Sequence, residues 1–229
     1  MIGIIGAMDV EIDGFKELIS DYKTETVSGI EYITGKINDK DIVLAMCGVG
    51  KVNAAICAQT MILKYSPDAI INSGVAGGLS KNLNTLDVAV ATMVVQHDCD
   101  TTAIGEPLGL ISRVNLVEIP CDENISKSLA NAAKSLKKPF VECGIIATGD
   151  VFVNSIEQRN KIINNFGAIA AEMEGGAIGQ VCYINNVPFG VLRTISDNAG
   201  GTSELSYFEL KPIAADESIK IITKFIEEF

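Results

Sequence analysis

Short β-branched runs alternate with longer amphipathic segments along nearly all of the 229-residue chain, the pattern of parallel strands covered by helices. Residues 2–5 predict a first strand, and residues 9–20 a helix on which Val10, Phe15, Leu18 and Ile19 share an apolar face. Residues 30–36 and 42–46 predict a hairpin around Asn38-Asp39-Lys40. Residues 51–65 predict the next helix, and 69–72 and 88–95 two further strands. Residues 96–121 have no clear period and contain Gly105, Pro107, Gly109 and Pro120, which predicts a long connection of the functional or disordered kind. Beyond it the pattern predicts helices over 123–136, 157–165, 175–183 and 207–228, with strands over 141–147, 168–171 and 187–195. No linker, internal repeat or low-complexity tract interrupts the series. The expected fold is therefore α/β, a single-domain three-layer α/β/α arrangement over residues 1–229 with a mixed, mostly parallel central sheet.

A chain of this length buries about 70% of its extended surface, so it needs no disulfide or metal staple. Hydrophobic residues make up 48%, yet no uninterrupted apolar stretch approaches the roughly 18 residues of a membrane span. With Lys plus Arg at 18 and Asp plus Glu at 29, the net charge of −11 repels phosphate backbones and disfavours nucleic acid as a partner. The start Met1-Ile2-Gly3-Ile4-Ile5-Gly6 has no basic leader and no small-residue cleavage site, which gives a cytoplasmic expectation. The six cysteines form no C-x-x-C pair and His97 is the one histidine, so no metal site is expected. The cysteines are expected to be reduced, buried and inert. Acid–base chemistry then falls to carboxylates.

In open α/β sheets ligands bind beyond the carboxyl ends of the strands. There the chain places Gly6-Ala7-Met8 with Glu11, Ser73-Gly74-Val75-Ala76-Gly77-Gly78, Thr148-Gly149-Asp150-Val151-Phe152-Val153, Glu172-Met173-Glu174 and Ser196-Asp197. Carboxylates, an aromatic ring, a methionine and a glycine-rich turn would meet on one rim. Each also has a plainer reading. Glu11, taken alone, reads first as a solvated first-turn residue complementing the helix dipole, Glu174 as the same before the next helix, and Asp197 as a cap. Phe152 and Met173 read as core, and Gly74–Gly78 as a tight turn. Arg193 differs, because it interrupts a strand otherwise suited to burial on both faces and so demands an acidic or anionic partner.

Three motifs are set aside. Gly48-Val49-Gly50-Lys51-Val52 resembles the end of a P-loop, but Val52 stands where a hydroxyl should take magnesium. The same glycines fail G-x-G-x-x-G at Asn53, and no G-x-S-x-G elbow accompanies His97-Asp98. His97 is expected to be structural.

Together these strings, in their order and spacing, resemble the bacterial 5′-methylthioadenosine/S-adenosylhomocysteine nucleosidases of the purine nucleoside phosphorylase superfamily. The resemblance spans nearly the whole chain. It rests on residues 4–8 with Glu11, on 48–52, 71–78, 148–152, 172–174 and 193–197. It implies a nucleoside phosphorylase-like fold, a homodimer acting on a small-molecule nucleoside, and neither metal nor cofactor. It implies Asp197, held by Ser196, as general acid at adenine N7, and Glu11, assisted by Arg193, as the group that orients and deprotonates water. Glu174 would accept the ribose hydroxyls, with Met173 packed on the sugar. Phe152 would stack on adenine and the Val153 backbone read its Watson–Crick edge. Val49, Val75 and Ala76 would line the ribose and water side, Gly77 would join them in binding substrate, and Met8 would lie on the 5′ side. Tyr207 stands where the family usually has phenylalanine. The partner subunit would wall the 5′ pocket with Thr101 and Ile104, although the family's aromatic near Ile104 and proline near Ser112 are missing here. The alternatives are a phosphorylase of the same superfamily, a nucleosidase preferring 5′-deoxyadenosine or aminodeoxyfutalosine, and a silent nucleoside-binding module.

Overall fold

The computed structural model describes residues 1–136, 140–199 and 204–229. The chain opens with β1 (Ile2–Gly6), α1 (Asp9–Leu18), β2 (Ser20–Val27), β3 (Ile30–Ile37) and β4 (Lys40–Met46). It continues through α2 (Lys51–Tyr65), β5 (Ala69–Gly78), β6 (Val88–Gln96), β7 (Ile119–Pro120), α3 (Glu123–Ser135) and β8 (Val141–Thr148). The last elements are α4 (Ile156–Phe166), β9 (Ala170–Glu172), α5 (Gly175–Asn185), β10 (Phe189–Asn198) and α6 (Glu204–Glu228).

All the strands join one sheet, ordered β10-β6-β8-β9-β5-β1-β4-β3-β2, with β7 beside β6. Because β10 also pairs with β5, the strands β5, β10, β6, β8 and β9 close into a ring and the rest extend from it as an open wing. Parallel pairs run β4–β1–β5–β10 and β6–β8–β9, which brings the carboxyl ends of β1, β5 and β10 to one rim. The layers are those expected from the alternation, with a mixed, mostly parallel sheet between two helical layers. On one face α1, α3 and α6 pack Ile12, Phe15, Leu129, Ile222 and Phe225 against Ile4, Leu44, Ile71 and Leu192. On the other, α2 and α5 pack Ala54, Cys57, Met61, Ile178 and Cys182 against Ile5, Val43, Ile70 and Val191.

Two expectations, on residues 74–78 and on the cysteines, need correction, and two further segments are defined by the structure. Residues 74–78 are no tight turn but the second half of β5, buried almost throughout, because β9 and β10 pair with them and supply their hydrogen bonds. The edge strand β2 carries no apolar alternation and is exposed along nearly its whole length, so only pairing with β3 makes it a strand. The long connection 96–121 is ordered locally by a 3₁₀ turn at Thr102–Ile104, a bridge between Ile111 and Leu116, and β7. Cys143 is exposed and Cys99 half-buried, while Cys47, Cys57, Cys121 and Cys182 lie in the interior with free thiols. Phe15, wholly buried between α1 and the sheet, tests the layer contact. Truncation to alanine is expected to cost about 3–5 kcal/mol, read as a lowered urea midpoint.

Candidate active site

The rim formed by β1, β5 and β10 opens into a cavity lined by Met8, Glu11, Val49, Val75, Ala76, Gly77, Phe152, Val153, Met173, Glu174, Ser196, Asp197 and Tyr207. These are the candidate catalytic and substrate-binding positions of the sequence, with one exception. Arg193 lies below the floor, only 1% exposed. Thr101 and Ile104 sit elsewhere, at the 3₁₀ turn, where Ile104 is 79% exposed.

Glu11 occupies the first turn of α1, as expected from its position, but it does not face water. It is 3% exposed. Its Oε2 accepts the N–H groups of Ala7 at 2.7 Å and Met8 at 3.1 Å, and its Oε1 accepts the N–H of Val75 at 3.0 Å. One oxygen thus closes the turn into its own helix and the other reaches the neighbouring strand. Burial raises the Glu11 pKa against the opposing pull of Arg193 and these three amides.

Gly74 explains how Glu11 and Arg193 come together. A Cβ built there would lie 2.5 Å from Arg193 Nη1 and 2.5 Å from Glu11 Oε1. Glycine leaves the space in which the two charged groups meet. The Arg193 Nη2 donates to Glu172 and to the side-chain oxygen of Asn72, and lies 3.8 Å from Glu174 Oε2. Asn72 is fixed in turn by donating to the Ile5 carbonyl at 2.9 Å. Burial alone would lower the Arg193 pKa, but the carboxylates of Glu172, Glu174 and Glu11 outweigh it and hold the guanidinium charged.

Glu174 begins α5, yet it turns inward rather than toward solvent. Its Oε1 accepts the Gly50 N–H at 2.9 Å. Gly50 has φ +100 and starts α2, a backbone conformation that glycine adopts without strain. The string dismissed as a false P-loop therefore has a role: its amide presents the positive end of α2 to a carboxylate instead of a phosphate. Burial and the neighbouring Glu172 charge push the Glu174 pKa up to about 7.

Asp197 reaches the cavity through a β-bulge. The β10–β5 register shifts between Ile195, opposite Ala76, and Asp197, opposite Gly77, which re-aims the side chains at the strand end. The buried Ser196 hydroxyl donates to Asp197 Oδ1 at 2.8 Å. Burial raises the Asp197 pKa, only partly offset by that hydrogen bond. The aromatic wall is made by Phe152 and Tyr207, whose ring centroids are 5.4 Å apart at 73°. The loop carrying Phe152 is tied down at Asp150, which accepts the Lys51 N–H at 2.8 Å and donates its own N–H to Asp98 at 2.9 Å. Lys51 closes the tie with a 2.6 Å ion pair to Asp98. Sequence reasoning assigned no task to Glu172, Asn72, Gly50 or this tie, although the glycine strings and the unpaired Arg193 were the signals pointing to them.

Among the described residues no group of three or more His, Cys, Asp or Glu is arranged to hold a metal ion. What the site offers is a largely apolar pocket with several buried carboxyl groups, a setting for stabilising positive charge and handling protons. Buried acids converging on a small, largely apolar cavity mark it as a candidate active site for a small molecule. Residues 1–227 match the family model described as the phosphorylase superfamily. The 5′-methylthioadenosine/S-adenosylhomocysteine nucleosidase of Staphylococcus haemolyticus is 40% identical over 228 residues, 99% of each chain. The Neisseria meningitidis nucleosidase of that name, solved with methylthio-immucillin-A, superposes with a TM-score of 0.96 at 33% identity, covering 100% of this chain and 99% of that one. A futalosine hydrolase of Helicobacter pylori superposes at 0.94 with 34% identity, covering 100% of this chain and 97% of the other. The chain belongs to the 5′-methylthioadenosine/S-adenosylhomocysteine nucleosidase family of the phosphorylase superfamily, and is an enzyme of the purine nucleosidase class.

Two predictions follow from the geometry. Gly74→Ala forces a methyl between Glu11 and Arg193 and is expected to remove turnover in protein that stays folded by circular dichroism. Asp197→Asn keeps the Ser196 hydrogen bond and removes a carboxyl whose pKa is raised in the fold. The native state then binds more protons than the unfolded one above the usual carboxylate range, so wild-type stability falls as pH rises through that window. Thermal melts should show Asp197→Asn matching wild type at pH 4 and gaining on it toward pH 8.

Proposed function

We propose that this enzyme, one domain over residues 1–229, hydrolyses the N-glycosidic bond of 5′-methylthioadenosine and S-adenosylhomocysteine, releasing adenine and the 5-thio-substituted ribose. The observation that carries the reading is the placement of two carboxyls along β5. Glu11 reaches the strand beside Gly74, and Asp197 lies beside Gly77. Three residues of strand separate these points by about 10 Å, room for a ribose and a water between an acid and a base.

The leaving purine must be protonated while positive charge develops on the sugar. Asp197, with its pKa raised by burial, carries that proton toward adenine N7, and Ser196 orients it. Glu11 orients and deprotonates the attacking water. Arg193 sets the field around Glu11 from beneath the floor. Glu174 accepts the ribose hydroxyls, and Met173 packs on the sugar beside it. Phe152 stacks on adenine, the Val153 backbone reads its edge, and Val49, Val75, Ala76 and Gly77 line the ribose and water side. Met8 and Tyr207 flank the 5′ group. The Tyr207 hydroxyl lies 4.0 Å from Met8 Sδ, which supports their sharing one subsite.

Arg193 Nη2 is engaged by Glu172 and Asn72, and this supports water over phosphate as the nucleophile, since phosphate requires free cationic or amide donors. The reading includes a cytoplasmic homodimer serving adenine and methionine salvage, with Thr101 and Ile104 of one subunit walling the other's 5′ pocket. Exposed Val49, Phe152 and Ile104 support it, being apolar groups at the pocket mouth and on the 3₁₀ turn. No helix among the described residues is long and apolar enough to cross a membrane.

The test is adenine release from both nucleosides with and without phosphate, with the sugar product identified. Phosphate-independent release of free sugar is expected, and a phosphate requirement yielding sugar 1-phosphate would overturn the Glu11 role. No release from either, but release from 5′-deoxyadenosine or aminodeoxyfutalosine, would replace the substrate. Asp197→Asn is expected to remove turnover, and Glu11→Gln to slow it at least about a hundredfold while sparing ligand binding.

A further inference from the structure

Glu172 is the most heavily engaged carboxylate near the site, and the reaction as read above gives it no task. Its side chain is 1% exposed. Oε1 takes the Thr148 hydroxyl, and that hydroxyl in turn accepts the Gly176 N–H at 2.6 Å. Oε2 takes the Arg193 Nη2 together with the N–H groups of Glu174 at 3.1 Å and Gly175 at 2.7 Å. Although Glu172 borders the cavity, three donors crowd its Oε2 and the Thr148 hydroxyl holds its Oε1. Glu172 is thus tied at once to the backbone of Glu174 and to the cation that Glu174 would otherwise pair with. Arg193 hydrogen-bonds Glu172 directly but stays 3.8 Å from Glu174 Oε2.

We propose that Glu172 is a positioning residue that retains Arg193 and the first turn of α5, so that Glu174 Oε2 stays beyond hydrogen-bond range of the guanidinium and open to the ribose hydroxyls. The assignment rests on the nucleosidase reading above. Buried charges seek the strongest available partner, so with Glu172 neutral the guanidinium turns to Glu174 and occupies the acceptor the sugar needs. The groups facing Glu174 are Arg193, Glu172, the Gly50 amide and, more distantly, Glu11. Removing the Glu172 charge leaves the attractive Arg193 charge less opposed and lowers the Glu174 pKa.

Glu172→Gln keeps the shape and one of the two acceptor oxygens while removing the charge. In steady-state hydrolysis of 5′-methylthioadenosine it is expected to raise KM at least tenfold with a smaller fall in kcat, and to shift the acid limb of kcat/KM to lower pH. It should also erase most of the preference for the ribose substrate over its 2′-deoxy counterpart. Thr148→Val, which removes one donor to Glu172 and no charge, is the second variant should the first not fold; a smaller KM rise with reduced ribose preference is expected. An active wild type with Glu172→Gln or Thr148→Val unchanged in KM, pH limb and ribose preference, differing only in melting temperature, overturns the positioning role and leaves the nucleosidase reading intact. A wild type that neither hydrolyses nor, by calorimetric titration, binds the nucleoside overturns both.

Discussion

A single guanidinium buried in the middle of a strand sets the terms for the rest of the site. Arg193 sits on β10 where its neighbours in sequence are buried and, Thr194 apart, apolar, and the fold surrounds it with Glu172, Glu174, Glu11 and the side-chain oxygen of Asn72. Removing one partner from such an arrangement typically costs about 3–5 kcal/mol, so the four elements carrying these groups are bound to one another by charge as well as by packing. The carboxylates outnumber the cation. Burial first, and the neighbouring Glu172 charge with it, raise the Glu174 pKa, while Arg193 and the Gly50 amide pull it down.

Small residues make this concentration of charge sterically possible. Gly74 on β5 is the point where Arg193 and Glu11 converge, and Gly50 at the start of α2 turns its amide to Glu174. The bulge before Asp197 then breaks the regular pleat at the end of β10 and turns an acid toward the same space. Helix starts, a strand glycine and a bulge each place one group, and together they put carboxyls with raised pKa values around a largely apolar pocket. The aromatic wall of Phe152 and Tyr207 depends on a separate tie, in which Lys51, Asp98 and Asp150 join the start of α2 to the loop after β8.

Much of this was legible along the chain. The β-branched runs and amphipathic segments predicted the layers and most element positions because burial on two faces and on one face leave different periods. The residues at the strand ends predicted which groups would meet, and Arg193 in an apolar strand announced a buried acidic partner. The failures share a cause. Residues 74–78 read as a turn because glycine carries no strand propensity of its own, and β2 read as nothing because its residues are polar; both became strands through partners distant in sequence. The solvated reading of Glu11 failed for the same reason, since its burial comes from β5 and Arg193 rather than from its own helix.

The amino-acid sequence by itself determined the layered α/β architecture, the set of acids available for proton chemistry and the absence of a histidine-rich or cysteine-rich alternative, because these follow from period and composition. Only the tertiary structure decided which acids are engaged and which are free. Glu172 and Glu174 are two residues apart in one short string and both border the cavity, yet one is held by four donors while the other takes the Gly50 amide and stands 3.8 Å from Arg193. That difference arises from Arg193, Thr148 and Gly50, each brought from another part of the chain, and electrostatic interaction depends on distance in space, which local sequence spacing does not encode.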